Sequence, residues 1–432
     1  MAFRRVPSLS GVRKAAARQF SALEVHNFRM LFLGQVISLI GTWMQSVGLS
    51  WLALELTGSP VAIGLVTTAQ FLPMMLFGLF GGVLADRLPR RKTLVIVQAA
   101  ALVHAAFLGA IVLTGVVELW HVYVMAAVAG LLSAVERPTR QSFLAELVGR
   151  DRLPNAVGLH SSILNGSRVV GPAVAGVLIA LVGVEWTFLL NAASYIAVLV
   201  GYARMRPAEF FPVRSRPGGG AFTQVLEGLR FAIRTPGPAY IFIIIGFTGT
   251  FGFNFTVVVP ILARFALHAG PAKFGLLTSA LSLGSFIAAI WVAGGGARSH
   301  RFITVWALAF SGFFALLAVS GTYWLTAAIL FFVGFSSIAM MTSANTTLQL
   351  DAPEHMRGRV ISIYMLLMTG STPVGGFLTG LLSSWTNIRL TLAIEGLLCA
   401  LGVVVALYYR ARHREAFRIP PVRADATAAG GS

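Results

Sequence analysis

Charged and titratable side chains are costly inside long apolar runs, so the few that this chain carries there are its first candidates for chemistry. Arg168 stands within one such run, Glu395 within another, and Glu55 closes a third. His104 sits in the middle of a fourth. In hydrocarbon these groups either pair with a neighbour or face a wet path, where they can carry a proton or contact a solute. Both a structural hydrogen-bonding role and a part in substrate or proton coupling fit Arg168. Glu55, Glu395 and His104 are the candidate proton carriers, although a lone membrane histidine also serves as a structural hydrogen-bonding group.

Uncharged polar residues form a second pattern. Gln35, Ser38, Thr42, Gln45 and Ser46 recur at spacings of three and four residues, which places them on one face of a helix. A polar face in a membrane must turn toward a cavity or a neighbouring helix. Thr248, Asn254 and Thr256 stand among Phe247, Phe251, Phe253 and Phe255, and Ser336, Ser337, Thr342 and Asn345 punctuate a later run.

The elements that carry these residues follow from composition. The chain has 432 residues, 56% hydrophobic and only 11% charged. A soluble domain carries about 25% charged residues, so a soluble multidomain protein is excluded. Crossing a hydrocarbon core takes about 20 mainly apolar residues. Twelve stretches qualify: 30–55, 60–84, 93–114, 119–135, 156–182, 186–204, 238–263, 273–296, 302–320, 323–343, 360–383 and 388–409. The fold class expected is an all-α integral membrane protein of twelve transmembrane helices.

The net charge of +18 would suit nucleic acid on a soluble chain. Its distribution says otherwise. Of 33 Lys and Arg residues, 29 fall on the side shared by both termini and the even-numbered loops. Arg264, Lys273 and Arg389 fall on the other side, and Arg168 lies within a stretch. Basic loops stay in the cytoplasm, so both termini are expected to be cytoplasmic and the charge topological; no nucleic-acid partner is expected. The leader with Arg4, Arg5, Arg13, Lys14 and Arg18 reads as a basic cytoplasmic tail rather than a signal peptide.

Nothing points to an enzyme. No lysine follows a glycine, which excludes a phosphate-binding loop and makes ATP an unexpected energy source. Neither a His-Glu-x-x-His zinc site nor a Gly-x-Ser-x-Gly nucleophile elbow is present. No metal and no cofactor is expected. The single cysteine, Cys399, excludes an intrachain disulfide.

The organisation expected is a basic tail at 1–29, a six-helix bundle at 30–205, a cytoplasmic linker at 206–236, a second six-helix bundle at 237–410 and a disordered tail at 411–432. The linker contains Arg-Pro- and Gly-rich sequence and an amphipathic segment, Phe222–Arg234. The halves echo one another. Thr139–Asn155 leads to Gly171-Pro172-Ala-Val-Ala-Gly176, and Asn345–Arg359 leads to Thr372-Pro373-Val-Gly-Gly376. Parallel repeats of six helices are a transporter architecture.

Gly82-Val-Leu-Ala-Asp86-Arg87-Leu-Pro-Arg90-Arg91-Lys92 resembles the loop signature of the major facilitator superfamily, with Pro89 in place of its second glycine. Ala145-Glu-Leu-Val, Leu153-Pro-Asn-Ala, Arg168-Val-Val-Gly-Pro172 and Arg357-Gly-Arg359-Val-Ile-Ser362 resemble the branch holding the enterobactin exporter and macrolide-efflux-like proteins. The resemblance implies alternating access between two bundles, with export the commonest direction. It also implies a cytoplasmic latch in which Asp86, within the gating loop of Arg87, Arg90 and Arg91, would meet the start of the eleventh stretch, with Arg357 or Arg359 adding charge. A carboxylate suits the positive end of a helix dipole there. The alternative is that Asp86 and Arg90–Lys92 only cap helices and anchor a tight turn. Gly171 and Pro172 match an exporter glycine motif in which Ser167 and Ala175 replace two glycines.

In this superfamily the first, fourth, seventh and tenth helices line the path. The resemblance therefore makes Gln35, Ser38, Thr42, Gln45, Asn254, Ser336 and Asn345 candidate cavity residues. Neutral polar groups among aromatics suit a lipophilic or amphiphilic small molecule. The expected function is a secondary active exporter of hydrophobic drugs or siderophore-like molecules in a bacterial plasma membrane. An uptake permease for a small nutrient is the alternative. The fourth stretch carries no arginine, unlike that of many proton-driven drug exporters in the superfamily. Oligomeric state is not legible.

Overall fold

The computed structural model describes residues 20–212, 228–231, 234–295, 299–354, 356–415 and 417, with side chains at 79, 83, 85 and 86 excepted. The expected basic tail to residue 19, most of the Phe222–Arg234 segment and the tail beyond 417 lie outside the described residues. All regular secondary structure among the described residues is helical. The long helices are α1 His26–Thr57, α2 Pro60–Arg87, α3 Arg90–Leu113, α4 Leu119–Val182, α5 Glu185–Ala203, α6 Pro236–Phe251 and α7 Phe255–Ile261. They continue with α8 Pro271–Ala293, α9 His300–Leu316, α10 Tyr323–Asp351, α11 Arg357–Trp385 and α12 Ile388–Arg412.

Local chemistry sets the ends of these helices. Gly58 closes α1 in the left-handed region at φ 58°, and Pro60 opens α2, where its missing N–H costs nothing. The Ser299 and Asn387 side chains accept the backbone N–H groups of Phe302 and Leu390, capping α9 and α12.

Counting α6, α7 and the π-helical turn Leu262–Ala266 as one, eleven helices among the described residues are long and apolar enough to cross a membrane. Their surface agrees with this. Leu181, Trp324, Phe80, Ile96 and Leu397 are each exposed by more than 65%, which suits contact with lipid and not with water.

The fourth and fifth stretches belong to one element. α4 has 64 residues, about 96 Å at 1.5 Å per residue, roughly three bilayer cores. Its helical path breaks at Gly149, whose φ of 71° and ψ of 178° suit glycine. The Phe211 ring packs where a side chain on Gly149 would stand. Residues 139–155, expected as a polar loop, are helical on both sides of this break. The seventh stretch is divided instead. Gly252 to Asn254 separates α6 from α7, and the N–H groups of Gly252 and Phe253 both donate to the Thr248 carbonyl.

The chain forms two compact units. The first spans residues 1–217 together with 268–282, and the second comprises 218–267 and 283–432. In the first, α1 packs on α4 and α5, α2 on α4, and α3 on α4 and α5. In the second, α6 packs on α11 and α12, and α9 on α10 and α12. Shifted by six stretches, the pairings of α1 and α3 in the first unit recur in the second. The apolar clusters recur as well. Phe28, Leu94, Phe143 and Tyr202 centre the first; Tyr240, Ile303, Met340, Tyr364 and Val403 centre the second.

Small residues bring these helices together, as membrane packing requires. Gly34, Gly41 and Gly48, seven residues apart, face Val198, Asn191 and Thr187 of α5. Within the first unit, Gly176 of α4 lies against Gly275 of α8: a β-carbon on Gly176 would stand 2.9 Å from the Gly275 Cα and 2.6 Å from the Pro271 carbonyl oxygen. The Ser279 hydroxyl donates to the Val169 carbonyl at 2.7 Å beside it.

Candidate functional site

The polar face of α1 is met by two partners in the first unit. The Arg140 guanidinium donates to the Glu136 carboxylate at 2.7 Å and to the Gln35 amide oxygen at 3.2 Å. Gln98 of α3 donates to the same Glu136 oxygen at 2.9 Å. The Glu136–Arg140 pair thus links α3, through the carboxylate, and α1, through the guanidinium, to α4. Three turns along α1, Gln45 accepts from the Asn191 amide of α5 at 2.6 Å. Ser38 is buried, and its carbonyl takes the Thr42 hydroxyl at 2.9 Å, while the Thr42 side chain is exposed.

Arg168 reaches no carboxylate among the described residues. Its guanidinium lies over the Trp43 ring at 5.3 Å, a cation–π contact between α4 and α1. Gly171, one turn further, lets α4 approach α1: a β-carbon there would meet Trp43 Cβ at 2.5 Å and the Ile40 carbonyl at 3.0 Å. Pro172 follows within the helix, its carbonyl beside Gly275.

The arginines of the loop between α2 and α3 are tied into their own unit. Arg90 is buried and forms an ion pair with Glu146. Arg91 donates from Nε and Nη2 to the Tyr202 carbonyl at 3.0 and 2.7 Å. Arg87 is exposed, and the Asp86 side chain lies outside the described residues. In the second unit Arg357 donates to the Ala352 carbonyl at 3.4 Å, and Arg359 approaches the Met356 sulfur at 3.3 Å.

The second unit holds one further polar centre. Asn254, at the break between α6 and α7, is fully buried and donates to the Thr250 carbonyl at 2.7 Å and the Thr379 hydroxyl at 3.3 Å. Thr379 of α11 in turn donates to Glu395 of α12 at 2.6 Å. Ser336 is buried and donates to the Phe332 carbonyl at 2.7 Å; Asn345 accepts from Gln349 at 2.8 Å.

Two of the three proposed proton carriers have ordinary partners. Glu55 is exposed at the end of α1 and accepts from the Trp51 indole at 2.6 Å. His104 of α3 donates to the Met125 carbonyl at 2.9 Å, beside an apolar groove of about 510 Å³ that includes Val103, Phe107 and Val128.

Arg140, Gln98, Asn191 and Thr379 are not singled out by the sequence, and Glu136 stands out there only as an acid at the cytoplasmic boundary. Glu136 and Arg140 stand four apart with opposite charge, a helical pairing signal. It is missed when the fourth stretch is ended at Val135, because the helix continues through both residues. Asn191 and Thr379 each look like ordinary small polar residues in apolar runs, and only tertiary packing gives them partners.

A family model described as transmembrane secretion effector matches residues 17–426. The staphyloferrin A transporter of Staphylococcus aureus is 26% identical over 85% of this chain and 92% of its own. The multidrug efflux pump Tap of Mycolicibacterium fortuitum is 26% identical over 86% and 93%. The enterobactin exporter EntS of Salmonella typhimurium is 27% identical over 96% and 99%. Among solved structures, a bacterial homologue of the human lysosomal transporter Spinster superposes with a TM-score of 0.64 over 91% of this chain and 96% of its own, at 14% identity. The chain is a multi-pass bacterial membrane protein of the transmembrane secretion effector family, in the enterobactin-exporter branch of the major facilitator superfamily.

Proposed function

We propose that the protein is a secondary active exporter that moves a lipophilic or amphiphilic small molecule, a hydrophobic drug or a siderophore-like compound, out of the cell by alternating access. The observation that carries this reading is the family match across residues 17–426, together with full-length similarity to an enterobactin exporter and a multidrug efflux pump. The repeated pairings of the two units support alternating access, since a parallel repeat is how such transporters are built. If α4 crosses twice about its Gly149 break, the eleven membrane-length helices among the described residues are compatible with twelve crossings. In this reading the one-sided basic loops favour cytoplasmic termini.

Gln35 and Gln45 give this path neutral polar groups already oriented by Arg140 and Asn191. The latch formed by Asp86 with Arg357 or Arg359 belongs to the same proposal. Asp86→Asn is expected to lower transport while leaving expression intact, with greater reagent access from the cytoplasmic face. Wild-type transport and wild-type access on both faces would remove the latch. The experiment for the function itself is a deletion strain screened against drugs and siderophores. Lost resistance or lost secretion, restored by the gene, supports export; no phenotype other than impaired nutrient uptake would overturn it.

A further inference from the structure

Glu395 is 2% exposed, and its Oε2 has no hydrogen-bond partner among the described residues. No ion pair reaches it there, so a negative charge on it would be uncompensated by protein in the apolar interior of the second unit. The Oδ1 of Asn254, a fully buried residue, is the other orphan nearby. Both side chains meet at one hydroxyl, Thr379 Oγ1, which takes the Asn254 amide at 3.3 Å and has its single proton between Glu395 Oε1 at 2.6 Å and the Gly375 carbonyl at 2.8 Å. They meet where the helix path is broken at Gly252–Asn254, and where the missing side chain of Gly375 lets α11 pack closely against that break. A β-carbon on Gly375 would stand 2.8 Å from Asn254 Oδ1.

Two unsatisfied oxygens, a shared hydroxyl and a broken membrane helix form an oxygen-rich centre with no hydrogen bond or ion pair to a basic group among the described residues. Hard cations take oxygen donors, and unwound helix segments are where membrane transporters hold sodium. One carboxylate balances one positive charge. A divalent ion would leave a net charge in hydrocarbon, which is expensive. We propose that Asn254, Thr379 and Glu395 form a sodium site in the second unit, with the Glu395 and Asn254 oxygens as ligands and Thr379 positioning the carboxylate. This site stands independently of the substrate and direction of transport.

The test uses the purified full-length chain in detergent, without substrate. A ligand that binds only the folded state stabilises it in proportion to its occupancy. The melting temperature should therefore rise saturably with NaCl, relative to choline chloride at equal ionic strength and pH, with KCl giving a smaller rise. Radioactive sodium should bind at about one ion per chain. Glu395→Gln should abolish both effects, and Thr379→Val should weaken sodium about 10- to 100-fold, as loss of a ligand-orienting partner does. The exposed Glu354→Gln should keep both. Equal melting in sodium and choline with no bound sodium in the wild-type chain would overturn the proposal, and that arm does not depend on any variant folding. Sodium binding retained in a folded Glu395→Gln chain would overturn it as well.

Discussion

Glu136 accepts from Arg140 and Gln98, and both charges of the pair are largely withdrawn from water. Removing one partner of such a pair strands the other, which costs more than the pair itself contributes. Glu136→Gln is therefore expected to destabilise the protein by about 3 kcal/mol. Adding Arg140→Gln should recover part of that loss, since the stranded cation is removed as well. Thermal unfolding of the two singles and the double in detergent reads this coupling directly; additive losses would show that the pair does not act as a unit. Legibility at this scale was uneven. Arg168 and Glu395 stand out in any sequence because charge is rare in apolar runs. The partners Trp43 and Thr379 do not, because tryptophan and threonine are common there, and contact is set by helix packing rather than spacing.

Among the elements, α4 carries the most consequence. Its second segment meets α1 through Gly171 and α8 through Gly176, and the atoms opposite Gly176 are main-chain atoms that no side-chain rotation can move. Gly176→Val is expected to cut transport at least about tenfold, or to prevent folding, because overpacking costs about 1–3 kcal/mol or more. Gly158, in the same segment, has open space where a β-carbon would stand, and Gly158→Ala should remain near wild type. Transport normalised to expression separates the two; equal tolerance would mean that the Gly176 contact does not hold the helices. The small-residue motif was readable, and so was Pro172. The helical character on both sides of the Gly149 break was not: that middle region is rich in Arg, Glu and Asp, which reads as a loop, yet polar residues form helix readily once they leave the apolar core. The break at Gly252–Asn254 was also hidden, since phenylalanine-rich sequence reads as uninterrupted membrane helix.

For the whole molecule, the sorting of 29 of 33 basic residues predicts which loops face which compartment. Cysteines introduced one at a time, Arg150→Cys and Thr114→Cys, should label from opposite sides. An impermeant thiol reagent applied to intact cells should reach the second and not the first. The buried Cys399 should stay silent in both. Labelling of Arg150→Cys from outside would invert the topology. Membrane class, repeat and family were legible because apolar length, charge asymmetry and loop motifs are properties of the sequence itself. Substrate was not, because the polar groups of α1 are shared between helix packing and any path beside them. Direction of movement is the central claim. It is measured most directly with energised inverted vesicles and right-side-out vesicles from cells that differ only in this gene, offered the same lipophilic dyes and siderophores. An exporter accumulates its compound in the inverted vesicles, dependent on the gene and on the ion gradient. Gene-dependent accumulation only in the right-side-out vesicles would contradict export.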